Sequence, residues 1–403
     1  MSKIEQLIQQ YCPEGVDLVL LGEVCKLQDG FAFQRSEMNS SKEGHPIIRT
    51  SDLKDGTVSI DKSLYYNGDT IPSQFIIEKG SIVIGMSGSI KVARSFINTI
   101  CYANQRVGIF KPSSSHILGD FLFYLLSSYN DILMSLCGNG TVKNLSKIAL
   151  LQLSIPLPPL PVQEEIVKIL DTFSELQAEL QAELQARQQQ YQYYRDKLLS
   201  FEGRDDVEWK KLGDISSIKT GRRFVRTDIR ESGVPCFHYG DIYTYYGLTA
   251  TKTKGYLDAE LASKLRFAQP NDVVVVCAGE NDWDLGVGVA WLGDEPAVVH
   301  DACCILHHSQ NPRYISHFLR THNYHLQMRR YVKNGKISSL SSSGLAEALI
   351  PIPSLEEQER IATTLDRFDA LVNDLSQGLP AEIEARKQQY EYYRNSLLTF
   401  KRL

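Results

Sequence analysis

Arg222, Arg223 and Arg226 crowd around Phe224 just after Gly221, with His238 and Tyr239 a short way on. An arginine fork is the side chain that grips guanine O6 and N7 bidentately. In the first half of the chain Gln34, Arg35, Arg49 and Ser51 occupy the corresponding region, with Arg49 and Thr50 opposite His238 and Tyr239. Two matching polar loops complete the set: Lys143 and Asn144 in GNGTVKNLS, and Lys336, Ser338 and Ser339 in KNGKISSLS. Backbone amides, hydroxyls and ammonium groups in glycine-containing loops suit phosphate oxygens. Any one of these residues is what an ordinary solvated surface carries. As a set at corresponding places in both halves, they favour a face that binds double-stranded DNA.

Signatures of catalysis are missing. The chain has no G-x-x-x-x-G-K-[ST] phosphate loop and no Asp/Asn-Pro-Pro-Tyr/Phe run to grip an adenine amino group; its one Pro-Pro, Pro158-Pro159, lies in the extended IPLPPLP segment. Gly286-Val287-Gly288 sits in an apolar run and reads as strand rather than cofactor cradle. His317, His322 and His325 are stepped by five and three, which does not gather them as the i, i+4 ligands of a metal. His300-Asp301 reads as a hydrogen-bonded core or groove residue ahead of an acid–base pair. The eight cysteines show no C-x-x-C spacing, so buried thiols are expected. No enzyme activity, cofactor or metal is expected in this chain.

The elements that must position these residues are organised by VQEEIVKILDTFSELQAELQAELQARQQQYQYYRDKLLSF. Leu170, Phe173, Gln177, Leu180, Leu184, Arg187, Tyr191, Tyr194, Leu198 and Phe201 step by 3 and 4 alternately, the spacing of a helix burying one seam against another helix. No Gly or Pro interrupts the run. A helix of about 40 residues is roughly 60 Å long and reads as a spacer.

The spacer occurs twice. IPLPPLPVQEEIVKILDTF matches IPIPSLEEQERIATTLDRF at an offset of 195, and QQYQYYRDKLLSF matches QQYEYYRNSLLTF at 199. The four extra residues lie where Gly378-Leu379-Pro380 predicts a break and restart of the second helix. The regions between match too: Leu21-Gly22-Glu23-Val24 with Leu212-Gly213-Asp214-Ile215, Gly30 with Gly221, and Pro46 with Pro235. Leu7 and Val16 align with Leu198 and Val207, so an N-terminal helix over Ile4–Tyr11 resembles the tail of the first spacer. The chain is an internal, cyclically permuted duplication.

The predicted fold is α+β, with two similar domains of short strands in antiparallel or mixed sheets. They are separated by two long antiparallel coiled-coil helices in a pseudo-two-fold arrangement. The expected boundaries are 1–16 (helix completing the repeat), 17–154 (first domain), 155–204 (spacer), 205–349 (second domain) and 350–403 (spacer). Leu180, Leu184, Tyr191, Tyr194, Leu375, Tyr390 and Tyr393 are expected in the helix–helix seam.

The net charge of −5 first argues against nucleic acid, but its distribution answers that. Residues 1–150 carry 14 basic and 14 acidic side chains and residues 205–349 carry 17 of each, so the whole deficit sits in the spacers. Neutral domains leave room for basic faces. No apolar run approaches the ~18 residues of a membrane span, and MSKIEQLIQQYCPEG lacks a signal-peptide pattern; a cytoplasmic location away from membranes is expected.

With these duplicated helices and divergent domains, the chain resembles the specificity subunit of type I restriction–modification enzymes along its whole length. The resemblance implies two target-recognition domains, each reading one half of a bipartite DNA site. It implies a ruler-like role for the helices, which dock two modification (M) subunits that use S-adenosylmethionine to methylate adenine. Restriction (R) subunits joining the assembled complex would supply ATP- and Mg2+-dependent cleavage. It names no base contact residue by residue. The outward helix face, including Gln163, Glu164, Gln358 and Glu359, is the expected M-facing surface. The competing readings are a coiled-coil scaffold whose ends bind proteins and, with less support, a self-sufficient nuclease or methyltransferase.

Overall fold

The structure is a computed structural model that describes residues 2–68, 71–138, 140–279, 285–335, 337–374 and 377–403. Lys336 and Leu375 lie outside the described residues. The chain divides into two compact units, Met1–Glu179 with Glu384–Leu403, and Leu180–Ile383.

The helices that frame the units are α1 (Lys3–Tyr11), α2 (Gly119–Ser128), α3 (Leu160–Ser200), α4 (Pro312–Phe318), α5 (Leu355–Asn373) and α6 (Leu379–Leu397). The long α3 runs unbroken through the predicted stretch as far as Ser200, and Phe201, the last expected seam residue, lies just past its end with a positive φ. The second spacer is interrupted as expected: α5 stops at Asn373 and α6 restarts at Leu379 with Pro380 in its first turn. The helical stretch inside each domain splits in two, Gly119–Ser128 with Asn130–Ser135 and Pro312–Phe318 with His322–Met328. The second splits because the Thr321 hydroxyl accepts the Tyr324 N–H and so starts a new helix.

In the first unit, strands β1 (Cys25–Asp29), β2 (His45–Ile48), β3 (Ile82–Gly85), β4 (Val92–Arg94), β5 (Cys101–Ala103) and β6 (Val107–Pro112) form two mixed sheets. In one sheet β1, β6, β3 and β4 are antiparallel neighbours; in the other β2 runs parallel to β5. The second unit repeats the pattern with β7 (Ser216–Thr220), β8 (Val234–Phe237), β9 (Val273–Val276), β10 (Gly288–Trp291), β11 (Ala297–Val299) and β12 (Cys303–His308). There β7, β12, β9 and β10 are antiparallel and β8 runs parallel to β11.

Burial on both faces explains the run of four valines in β9. Val273 and Val275 join the core that packs on α4 and α5, whereas Val274 and Val276 join a separate core with Phe237 and Trp291. Successive strand residues point to opposite faces, so a central strand with a core on each side must be apolar throughout.

In each unit, the start of one long helix packs on the end of the other. Phe173 of α3 stacks on Tyr393 of α6 at 5.3 Å in the first unit, and Tyr194 of α3 stacks on Phe368 of α5 at 5.6 Å in the second. These pairs are equivalents under the repeat. Leu184 and Tyr191 are buried and Leu180 and Tyr390 half-buried. Tyr194 and Tyr393 remain 37 % and 40 % exposed, because they lie on the partner ring by one face and leave the other to solvent.

Matched aspartates fasten the helices to the sheets. Asp171 Oδ1 of α3 accepts from Arg94 of β4 at 2.7 Å and from the Tyr124 hydroxyl of α2 at 2.6 Å. Asp366 of α5, its equivalent, pairs with Arg313 and accepts from His317 Nε2 at 2.9 Å. With Nε2 donating, His317 Nδ1 accepts from the Tyr191 hydroxyl at 3.3 Å, which ties a seam residue to α4. Burial alone would raise the Asp366 carboxyl; the His317 and Arg313 contacts outweigh it and hold the group below its ordinary range. Asp366→Ala leaves the fully buried His317 N–H without its acceptor and removes one partner of Arg313. The expected loss is about 2–3 kcal/mol. It is checked by urea unfolding followed through tryptophan fluorescence, since all three tryptophans (209, 283 and 291) fall within Leu180–Ile383.

The expectation for Gln163 and Gln358 is corrected. Both are fully buried inside their own units. Gln163 accepts the Leu118 N–H at 2.9 Å and donates to the carbonyls of His116 and Pro158, each at 2.7 Å. Gln358 accepts the Asn311 N–H at 3.0 Å and donates to Gln310 Oε1 and the Pro353 carbonyl. Each amide satisfies backbone groups of the loop leading into the domain's helix and cannot face a partner. Glu359, on the same turn, is exposed but bound to Arg313 and Asn311; Glu164 is exposed.

The chain ends meet in the first unit. Val16 N–H donates to the Lys401 carbonyl at 3.0 Å and Leu403 N–H to that of Val16 at 3.3 Å. Val16 aligns with Val207, which follows the tail of α3 in sequence, so the cyclic permutation has a structural counterpart. Among the described residues, no helix is long and apolar enough to cross a membrane.

Candidate nucleic-acid interface

The interface is built around the two matched glycines. Gly221 N–H donates to the Cys303 carbonyl and Arg222 N–H to that of Val299, so the chain crosses tightly over the end of β11. A Cβ at Gly221 would sit 2.2 Å from the His300 oxygen and 2.3 Å from that of Val299. At Gly30 it would sit 2.1 Å from the Asn104 oxygen and 2.5 Å from that of Ala103. Only glycine allows this approach. It sets Phe224 and Phe33 as buried floors beside the ends of the parallel strand pairs, β8 with β11 and β2 with β5.

On the Phe224 floor stands an aromatic cluster. The His300 ring meets Phe224 edge-on at 5.1 Å; His238 lies 4.9 Å from His300, and Tyr239 lies 4.6 Å from His238 and 5.2 Å from His300. A groove of about 650 Å³ opens here, lined by these rings with Arg223, Arg226, Tyr243, Asp301 and Ile337. The structure thus brings together four of the residues singled out in the sequence: Arg223, Arg226, His238 and Tyr239. Arg222 is spent elsewhere, its guanidinium donating to the Lys264 carbonyl at 2.7 Å. Ser338 and Ser339 form a strand edge paired with Gly279 and Ala278, which places Ser338 out of solvent and Ser339 on the surface.

Backbone donors decide the state of the two imidazoles. Ala302 N–H donates to His300 Nδ1 at 3.1 Å and Gly240 N–H to His238 Nδ1 at 3.3 Å, so each ring carries its proton on Nε2. The 3.0 Å approach of Asp301 to His300 Nδ1 is then a contact between acceptors rather than an ion pair. Burial lowers the pKa of both rings, for His300 against the opposing pull of Asp301 and for His238 with help from His300. Both rings are neutral at pH 7. Arg226 is well exposed and reaches Asp241 only at 4.0 Å, a carboxylate already held by Lys254 at 3.1 Å.

The first unit uses the same frame differently. Arg49, at the His238 position, forks onto Asp52 at 3.2 Å and donates to the Lys62 carbonyl at 2.8 Å. Ser51 turns to the same carboxylate at 3.3 Å. Both therefore serve the loop's own geometry first. Gln34, Arg35 and Lys143 are exposed; Asn144, also exposed, bridges to Ser87 as Ser339 does to Ala278. Asn104 takes the His300 position. Asp301 and Ile337 lie beside residues singled out in the sequence, but nothing in the sequence points to Asn104; the matched glycines that pin the strand end are the nearest signal.

Two like domains, each presenting an aromatic-floored, polar face beside a parallel strand pair, define a duplicated recognition protein built on long helices. The family described as type I restriction modification DNA specificity domain matches twice, over residues 13–187 and 204–385. A candidate type I restriction enzyme specificity subunit of Haemophilus influenzae is 33 % identical over 303 residues, 70 % of this chain and 72 % of that one. The EcoR124I/EcoR124II specificity subunit of Escherichia coli is 34 % identical over 263 residues, 62 % of this chain and 64 % of that one. The chain belongs to the type I restriction-modification DNA specificity family. The fold agrees with two solved structures: the S subunit from M. genitalium (TM-score 0.55, 15 % identity, 95 % and 96 % coverage) and a chain of a type I R-M system studied for complex assembly (TM-score 0.63, 17 % identity, 96 % and 98 % coverage).

Proposed function

We propose that this chain reads a bipartite double-stranded DNA site, one half per domain, as the specificity subunit of a type I restriction–modification complex. The observation that carries the reading is the duplicated frame with different chemistry at matched positions, His238 and His300 against Arg49 and Asn104. One scaffold thereby presents two surfaces. In this reading positive side chains hold the backbone and groove contacts select bases. Two M subunits dock on the chain and, with S-adenosylmethionine, methylate an adenine taken out of the stack beside each domain. R subunits join through the assembled complex and use ATP and Mg2+ for cleavage.

The test expresses the chain with its adjacent modification subunit in a methylase-free host and sequences the DNA by a single-molecule method. A bipartite motif with one methyladenine on each strand is expected. An assembled complex that leaves DNA unmethylated would favour the protein-scaffold reading.

A further inference from the structure

Resting on the DNA-reading function above, we propose that the second unit's groove reads a G·C base pair, with Arg223 and Arg226 donating to guanine and Asp301 accepting from cytosine. The groove's polar groups are mostly donors. Two guanidiniums line it, and the neutral ring of His238 offers its Nε2–H because Nδ1 already accepts a backbone N–H, whereas the N–H of His300 turns to the Phe224 carbonyl. The Tyr243 hydroxyl donates to the Ala278 carbonyl at 3.2 Å. Asp301, with its side chain 42 % exposed, is the lone carboxylate among the described lining residues.

That pattern complements one base pair in the major groove. Guanine shows two adjacent acceptors, O6 and N7, and its cytosine partner a donor, N4. Adenine shows a donor beside an acceptor and is matched by an amide, and no Asn or Gln lines the groove among the described residues. A phosphate is disfavoured as the main ligand because Asp301 would face its charge. The first unit places Asn104 at the His300 position, so the preference belongs to the second half-site alone.

The test uses the full chain assembled with its modification subunits. Motifs methylated by the wild type are compared with those of Arg223→Ala, Arg226→Ala and the double variant, all at exposed positions. One half-site is expected to relax at a G·C position by roughly ten-fold or more, the other half staying unchanged. In a synthetic duplex carrying the whole site, 7-deazaguanine at that position removes the N7 acceptor. It is expected to weaken wild-type binding several-fold and to have no further effect on the double variant. Loss that is uniform across sequences, with a shallower salt dependence, would make the arginines phosphate contacts and overturn the proposal. A responding half-site without a G·C pair would also overturn it. Absence of any methylated motif from the wild-type complex would instead overturn the DNA-reading function itself.

Discussion

Inserting one further Leu-Gln-Ala-Glu unit after Glu183 is expected to lengthen the gap between the half-sites while leaving both half-site sequences unchanged. Residues 176–187 already form a four-residue tandem repeat, LQAE, LQAE, LQAR, inside a single uninterrupted helix. Four residues advance a helix by about 6 Å and rotate it about 40° beyond a full turn, so the seam resumes near its old phase. DNA rises roughly 3.4 Å per base pair, which makes the change commensurate with one or two steps. Methylome sequencing of the insertion mutant reads the outcome directly. An unchanged gap would end the idea of the helix as ruler.

The second unit is expected to lose stability as pH falls from about 6.5 towards 4. His325 is held down to about 4, by burial first and then by neighbouring Arg195, Arg320 and His322. An unfolded histidine takes up a proton near pH 6.5. Between those two values the unfolded chain binds more protons than the folded one, so stability drops as pH falls. At pH 5 the loss from His325 alone is about 2 kcal/mol. His238, His300, His308 and His317, also in the second unit, are shifted down mainly by burial and add in the same direction. Tryptophan fluorescence during urea unfolding at pH 7.5 and pH 5 reports this unit selectively, since it holds all three tryptophans. His325→Gln should flatten the pH dependence; an unaltered midpoint between the two pH values would refute the account.

Local periodicity carried much of the architecture into the sequence. The 3–4 spacing from Leu170 to Phe201 anticipates the helix Leu160–Ser200, because a helix keeps its hydrogen bonds within itself and its buried face within a short window. Gly378-Leu379-Pro380 anticipates the gap between α5 and α6 for the same reason, as do the matched blocks for the repeat. The groove was only partly legible. Arg223, Arg226, His238 and Tyr239 could be singled out by type, yet His300, Asp301 and Ile337 join them through a parallel strand pair and a glycine crossing that unite distant segments.

Gln163 and Gln358 mark the same limit from the other side. Read locally, a glutamine in the first turn of a polar-faced helix belongs to solvent. The tertiary structure brings the loops at His116–Leu118 and Gln310–Asn311 against these turns, and their backbone groups need partners away from water. Sequence determined where the long helices and the repeat lie and which residue types are candidates for meeting nucleic acid. Which of those side chains face solvent, and which are consumed in holding the protein together, was decided only by contacts between distant segments, since an unpaired buried polar group is too costly to leave unmet.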